Sequence, residues 1–121
     1  MRVLFLYLTK CNKLIYHITH KKHWKSALKK NEYETPTLNE EGFIHCSPLE
    51  KVKESANRFF KDHYELLVLC IDEDKVIPEI IREDLYDTGF EFPHIYGKLN
   101  LDAVIKVIEL KKNINGSFDF P

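Results

Sequence analysis

The sequence predicts one α+β domain, and three observations carry that reading. The chain has 121 residues, of which 44% are hydrophobic and 12% aromatic, enough for a single real core. Amphipathic helical stretches fall in the first half, whereas the second half is a series of extended segments separated by single turns. Helices early and strands late favour α+β over a doubly wound parallel sheet. No repeat, low-complexity block or Pro/Gly-rich linker divides the chain. The expected organisation is an N-terminal extension over 1–13, the domain over 14–110 and a tail over 111–121.

The apolar run Val3 to Leu8 is shorter than the roughly 7–15 residues of a signal-peptide core, and no small-residue cleavage site follows it. It also falls far short of the about 20 apolar residues that cross a membrane. It reads as an extra strand or an upstream extension. Leu14 to Thr19 is the first strand of the domain, with Ile15, His17 and Thr19 on one face and Tyr16 and Ile18 on the other. Thr19 can cap a helix from His20 to about Lys30, apolar along Trp24, Ala27 and Leu28 and lysine-rich on the other side. Tyr33 to Glu41 is a polar connection. Gly42 to Ser47 is a short strand on which Phe43, His45 and Ser47 share one face and Ile44 and Cys46 the other.

Ser47-Pro48-Leu49-Glu50 has the form of a capping box with proline at the first helical position. The helix it opens presents Leu49, Val52, Ala56, Phe59 and Phe60 and ends near Lys61-Asp62. Glu65 to Asp72 is apolar on both faces, the mark of a central strand. Ile80 to Glu83 is a shorter strand. Phe92 to Gly97 is extended, and its proline and glycine place it at an edge or in a loop. Ala103 to Leu110 is the last strand, and the polar tail with its Asn115-Gly116 turn is expected to be loose.

Basic and acidic residues number 18 and 19, for a net charge of −1, so no global field draws the protein to nucleic acid or to an anionic membrane. Neither partner is expected, and an anionic ligand has to be held by local groups. Three cysteines, Cys11, Cys46 and Cys70, form no CxxC pair. They read as reduced, buried thiols, which points to a cytoplasmic location.

Six histidines are the conspicuous chemical feature. His17, His45 and His94 lie in strand-like segments beside small or hydroxylic residues. Two of them precede a predicted helix start, at Thr19 and Ser47, where backbone N–H groups and the helix dipole favour phosphate. Each hydroxyl is equally well explained as an N-cap, and each histidine as a hydrogen-bonded core residue. His17, His45, His94 and Cys46 are of metal-ligating type, but no diagnostic spacing such as His-Glu-x-x-His is present and Cys46 should point away from His45. No metal is therefore expected. His20 and His23 belong to a solvated lysine-rich face, and His63 to a helix end where the dipole welcomes it. Glu83, on the strand after Ile80-Ile81-Arg82, can hold a ribose hydroxyl or stabilise an oxocarbenium ion; a salt bridge to Arg82 or a lysine is the structural alternative. There is no glycine-rich phosphate loop and no GxSxG.

Together the ordered words Ile15-Tyr16-His17-Ile18-Thr19, Trp24, Gly42-Phe43-Ile44-His45-Cys46-Ser47, Ala56-Asn57-Arg58-Phe59-Phe60, Phe92-Pro93-His94-Ile95-Tyr96-Gly97 and Leu101-Asp102-Ala103-Val104 resemble a bacterial family, domain of unknown function 952. The resemblance runs from about Leu14 to Leu110. It implies an ADP-ribosyltransferase-like fold, closest to the RNA 2′-phosphotransferase branch: a split β-sheet with two early helices packed on it. His17-Ile18-Thr19 is similar to the element that contacts NAD in that superfamily, and Gly42 to Ser47 to its second histidine strand. The third classical position is open between Glu83, Glu91 and His94, and only Arg58 and Arg82 offer counterparts to the phosphotransferase arginines. The implied catalytic set is His17, His45 and Glu83. The implied ligand set is His17, Thr19, Ser47, Phe92, His94 and Tyr96, with Tyr96 or Phe92 stacking on a ring, and the implied cofactor is NAD, a small nucleotide-type ligand. Two other classes stay open: a non-catalytic small-ligand or metal-binding module, and a protein-interaction module presenting Trp24 with tyrosines and phenylalanines.

Overall fold

The computed structural model describes residues 13–120. The predicted run over 3–8 and Cys11 lie outside the described residues. The chain is a mixed α+β domain in which every strand pairing is antiparallel. The strands are β1 (Leu14–His20), β2 (Glu32–Tyr33), β3 (Ile44–His45), β4 (Leu66–Asp72), β5 (Glu79–Glu83), β6 (Phe92–Tyr96), β7 (Leu99–Asn100), β8 (Val104–Lys112) and β9 (Phe118–Asp119). The helices are α1 (Lys21–Lys30), the one-turn α2 (Leu38–Glu41) and α3 (Leu49–Phe59). None is long and apolar enough to cross a membrane.

One sheet has the order β1-β4-β8-β9 and a second the order β3-β6-β5; β2 and β7 pair separately. Among the described residues the two larger sheets are stitched at a single point. Tyr16 and Ser47 exchange both backbone hydrogen bonds, at 2.8 and 2.7 Å. Beyond that bridge the edges of β1 and β3 no longer form a ladder, and side chains take over the space between them.

β4 explains why the core has two layers. Leu66 to Ile71 are all buried, as expected for a strand apolar on both faces. Leu69 and Ile71 pack with Ile15, Ala27, Ile44 and Ile95 on one side, whereas Leu66, Val68 and Cys70 pack with Tyr16, Val52, Ala56 and Phe118 on the other. Each large aliphatic so buried contributes about 1.5–3 kcal/mol of transfer free energy.

Several local expectations are corrected. Thr19 does not cap α1: it pairs with Leu67 in the β1–β4 ladder, His20 occupies the cap position, and the Lys21 N–H is satisfied by the Glu65 carbonyl at 2.8 Å. Ser47 does not cap α3, because the Tyr16 bridge holds its backbone one residue early and Pro48 becomes the N-cap. Leu28, Leu49 and Phe59 are exposed; only Ala27 on α1, and Val52 and Ala56 on α3, are fully buried. Phe92 to Tyr96 is neither edge nor loop but the middle strand of its sheet. Pro93 is tolerated there by contributing only its carbonyl, which accepts from the Cys46 N–H at 3.0 Å. The tail is tied down: β9 pairs with β8, Phe118 is buried, and the Asn57 side chain accepts from the Phe118 N–H at 2.6 Å and donates to its carbonyl at 3.0 Å.

Candidate functional site

The first half of the site fills the gap where β1 leaves β3. His17 Nδ1 lies 2.6 Å from the His45 carbonyl, so a side chain continues the seam that the backbone bridge began. Its Nε2 lies 2.7 Å from the Tyr33 hydroxyl, and that hydroxyl lies 2.8 Å from Thr19 Oγ1. A carbonyl only accepts, so Nδ1 carries the proton. Burial pushes the His17 pKa down to about 4, hence the ring is neutral at pH 7 and Nε2 is an acceptor. The proton order is then fixed: Thr19 donates to Tyr33, Tyr33 to His17, and His17 to His45. The opposite sense, with Tyr33 donating to Thr19, belongs to the imidazolium. Burial also pushes the Tyr33 phenol well above its ordinary value, so it stays protonated.

The second half is carried by β3, β5 and β6. Gly42, at φ +85°, ends α2 and turns the chain into β3. That turn brings Glu41 back onto His45, with Oε2 3.1 Å from Nε2, while Thr37 Oγ1 donates to the other carboxylate oxygen at 2.7 Å. Those two contacts, Thr37 first, hold the Glu41 carboxyl below its ordinary range. The exposed Tyr86 hydroxyl approaches the same His45 nitrogen at 3.5 Å.

Strand alternation sends Phe92, His94 and Tyr96 to one face of β6, and Ile95 into the core. His94 Nδ1 is 2.9 Å from Glu83 Oε1, and the Tyr96 hydroxyl donates to the same oxygen. Phe43 stacks on His94 with centroids 4.2 Å apart, and the rings of His45 and His94 meet edge to face at 5.2 Å. The hydrogen bond from Tyr96, then that from His94, pulls the Glu83 carboxyl below its ordinary pKa. The Tyr96 phenol is pushed up to about 12, chiefly by that bond. Glu83 is thus an ionised carboxylate held by two donors at a partly open position, an arrangement suited to stabilising nearby positive charge.

The structure therefore brings together His17, Thr19, His45, Glu83, His94 and Tyr96. It places Ser47 at the Tyr16 bridge and Phe92 against Phe90, at 4.9 Å between rings. Sequence reasoning passed over Tyr33 and Glu41, both inside what reads as a polar connection; the lone aromatic in that segment was the available signal for Tyr33. Arg82 forms a two-pronged ion pair with Glu73, at 2.8 and 2.7 Å, and is committed there rather than to Glu83. Among the described residues no group of three or more His, Cys, Asp or Glu converges as a metal centre. Cavities of about 200 and 400 Å³ are lined by neither His17, His45, Glu83 nor His94.

The family described as "Protein of unknown function (DUF952)" matches residues 18–107. The chain belongs to that family. The crystal structure of protein CC0527 from Caulobacter crescentus is 26% identical, with 88% of this chain and 93% of that one aligned at a TM-score of 0.79. The solution NMR structure of the same protein is 25% identical and aligns over 87% and 90% of the two chains at a TM-score of 0.68. No curated protein is significantly similar to the chain. The matched segment, residues 18–107, includes Thr19, His45, Glu83, His94 and Tyr96 of the cluster.

Proposed function

We propose that this domain binds NAD or a related ADP-ribose compound on the face carrying His45, Glu83 and Tyr96, and acts there as an ADP-ribosyl-type transferase on an ADP-ribosyltransferase-like split sheet. The observation that carries the reading is the convergence of residues 17, 41, 45, 83, 94 and 96 on one seam, with one buried neutral imidazole and one ionised carboxylate held in place. In this reading Glu83 faces the anomeric carbon. Bound there, NAD would supply an electrophilic anomeric carbon with nicotinamide as its leaving group and the acceptor oxygen or nitrogen as the incoming one, and Glu83 would meet the positive charge that develops. His45, backed by Glu41, takes the acceptor proton. Tyr96 and His94 orient Glu83. His17 and Thr19 position rather than touch ligand, since both His17 nitrogens and the Thr19 hydroxyl are already engaged and the His17 bond fixes the His45 backbone.

Amide NMR titration with NAD and with ADP-ribose tests the reading. Saturable shifts at 41–47, 79–86 and 92–97, lost in Glu83→Gln with the fold intact, support it. Absence of shifts at millimolar ligand overturns it. The open character of the cluster favours one second reading, a non-catalytic small-ligand module; saturable binding without turnover, unaffected by Glu83→Gln, would select it.

A further inference from the structure

A second histidine cluster lies outside the site. His20 ends β1, and His63 lies in the turn between α3 and β4. His20 Nε2 and His63 Nδ1 are 3.1 Å apart, with ring centroids 5.0 Å apart. Phe60 flanks both rings at 6.4 and 5.4 Å, and His23 stands edge-on to His20 at 5.4 Å. Two imidazole nitrogens this close share either a proton or a metal ion. Ligands at about 2.0–2.1 Å from a zinc-like ion in tetrahedral array stand roughly 3.3 Å apart, so the pair needs only a few tenths of an ångström to open around one.

We propose that His20 and His63 form a two-point chelate for a divalent transition-metal ion of the zinc, copper or nickel class, with water completing its shell. Imidazole nitrogens suit those ions and not calcium or magnesium. Burial, together with His63, His23 and Lys22, lowers the His20 pKa against a backbone hydrogen bond to Tyr64 that raises it, which favours the neutral ring that ligates. A bound ion would clamp the end of β1, the strand that carries His17 and Thr19, to the α3–β4 turn.

Isothermal titration of the full chain with zinc chloride tests this. Saturable one-to-one binding is expected, weakened in His63→Ala and in His20→Gln by more than the roughly 10–100-fold that loss of an outer-shell partner costs, and unchanged in His45→Ala. Since His63 is exposed, its variant should fold, and circular dichroism checks that it does. Binding that is not weakened to that extent in His63→Ala, or no saturable binding, overturns the proposal.

Discussion

The two halves of the candidate site use the same residue types to opposite ends. Around His17 everything is sealed: the imidazole, Tyr33 and Thr19 are each below 10% exposed, and burial drives the ring to neutrality. Around Glu83 the carboxylate is partly open, and hydrogen bonds from Tyr96 and His94 keep it charged. Desolvation wins in the first half and hydrogen bonding in the second. The sealed half is built to hold a geometry, the open half to meet a ligand.

Changes to the sealed half should cost stability, and the largest effect should come from pH. His17 has an ordinary value of 6.5 and a folded value of about 4, so the unfolded chain binds the extra proton across that window. Stability should therefore fall as pH drops from 6.5 towards 4, by on the order of 3 kcal/mol from this group. Urea unfolding at a series of pH values checks it, and His17→Gln should flatten the slope. Tyr33→Phe comes next. It strands His17 Nε2 without a donor and should cost about 1–3 kcal/mol while leaving the fold recognisable by circular dichroism. Asn57→Ala probes a bond remote from both halves. Loss of its clasp on Phe118 should cost about 1–2 kcal/mol and raise amide exchange in β9, with no effect on ligand binding. Glu83→Gln should have the smallest effect on stability and the largest on function: an unfolding midpoint close to that of the parent, with ligand-induced shifts abolished. A large midpoint change in Glu83→Gln, or none in Tyr33→Phe, would erase the distinction between the halves.

The fold and several site residues were legible in the sequence, though unevenly, and the contrast between the halves was not. β4 could be placed at the centre because Leu66 to Ile71 are apolar without alternation, which a one-sided strand cannot be. His17, His45 and His94 stood out because six histidines is a high count and these three lie in strand-like segments beside small or hydroxylic residues, and Glu83 because it follows an apolar run. What escaped were the effects of long-range pairing. Thr19 and Ser47 carry the local signature of helix caps, yet a ladder partner 48 residues away and a bridge 31 residues away claim their backbones. Phe92 to Tyr96 looked peripheral because proline removes a donor, but at Pro93 only the carbonyl is asked to bond. Tyr33 and Glu41 sit in a segment with no periodicity; their partners are set by a one-turn helix and a left-handed glycine, neither of which a pattern reveals.

The most direct test of the sealed half is the protonation of His17 itself. Long-range proton–nitrogen NMR correlations of the imidazole rings between pH 4 and 8 report both tautomer and charge. The account predicts that His17 stays neutral with the proton on Nδ1 through the physiological range and begins to titrate only towards pH 4. A His17 that titrates near 6.5, or that carries its proton on Nε2, would contradict the relay and with it the division of the site.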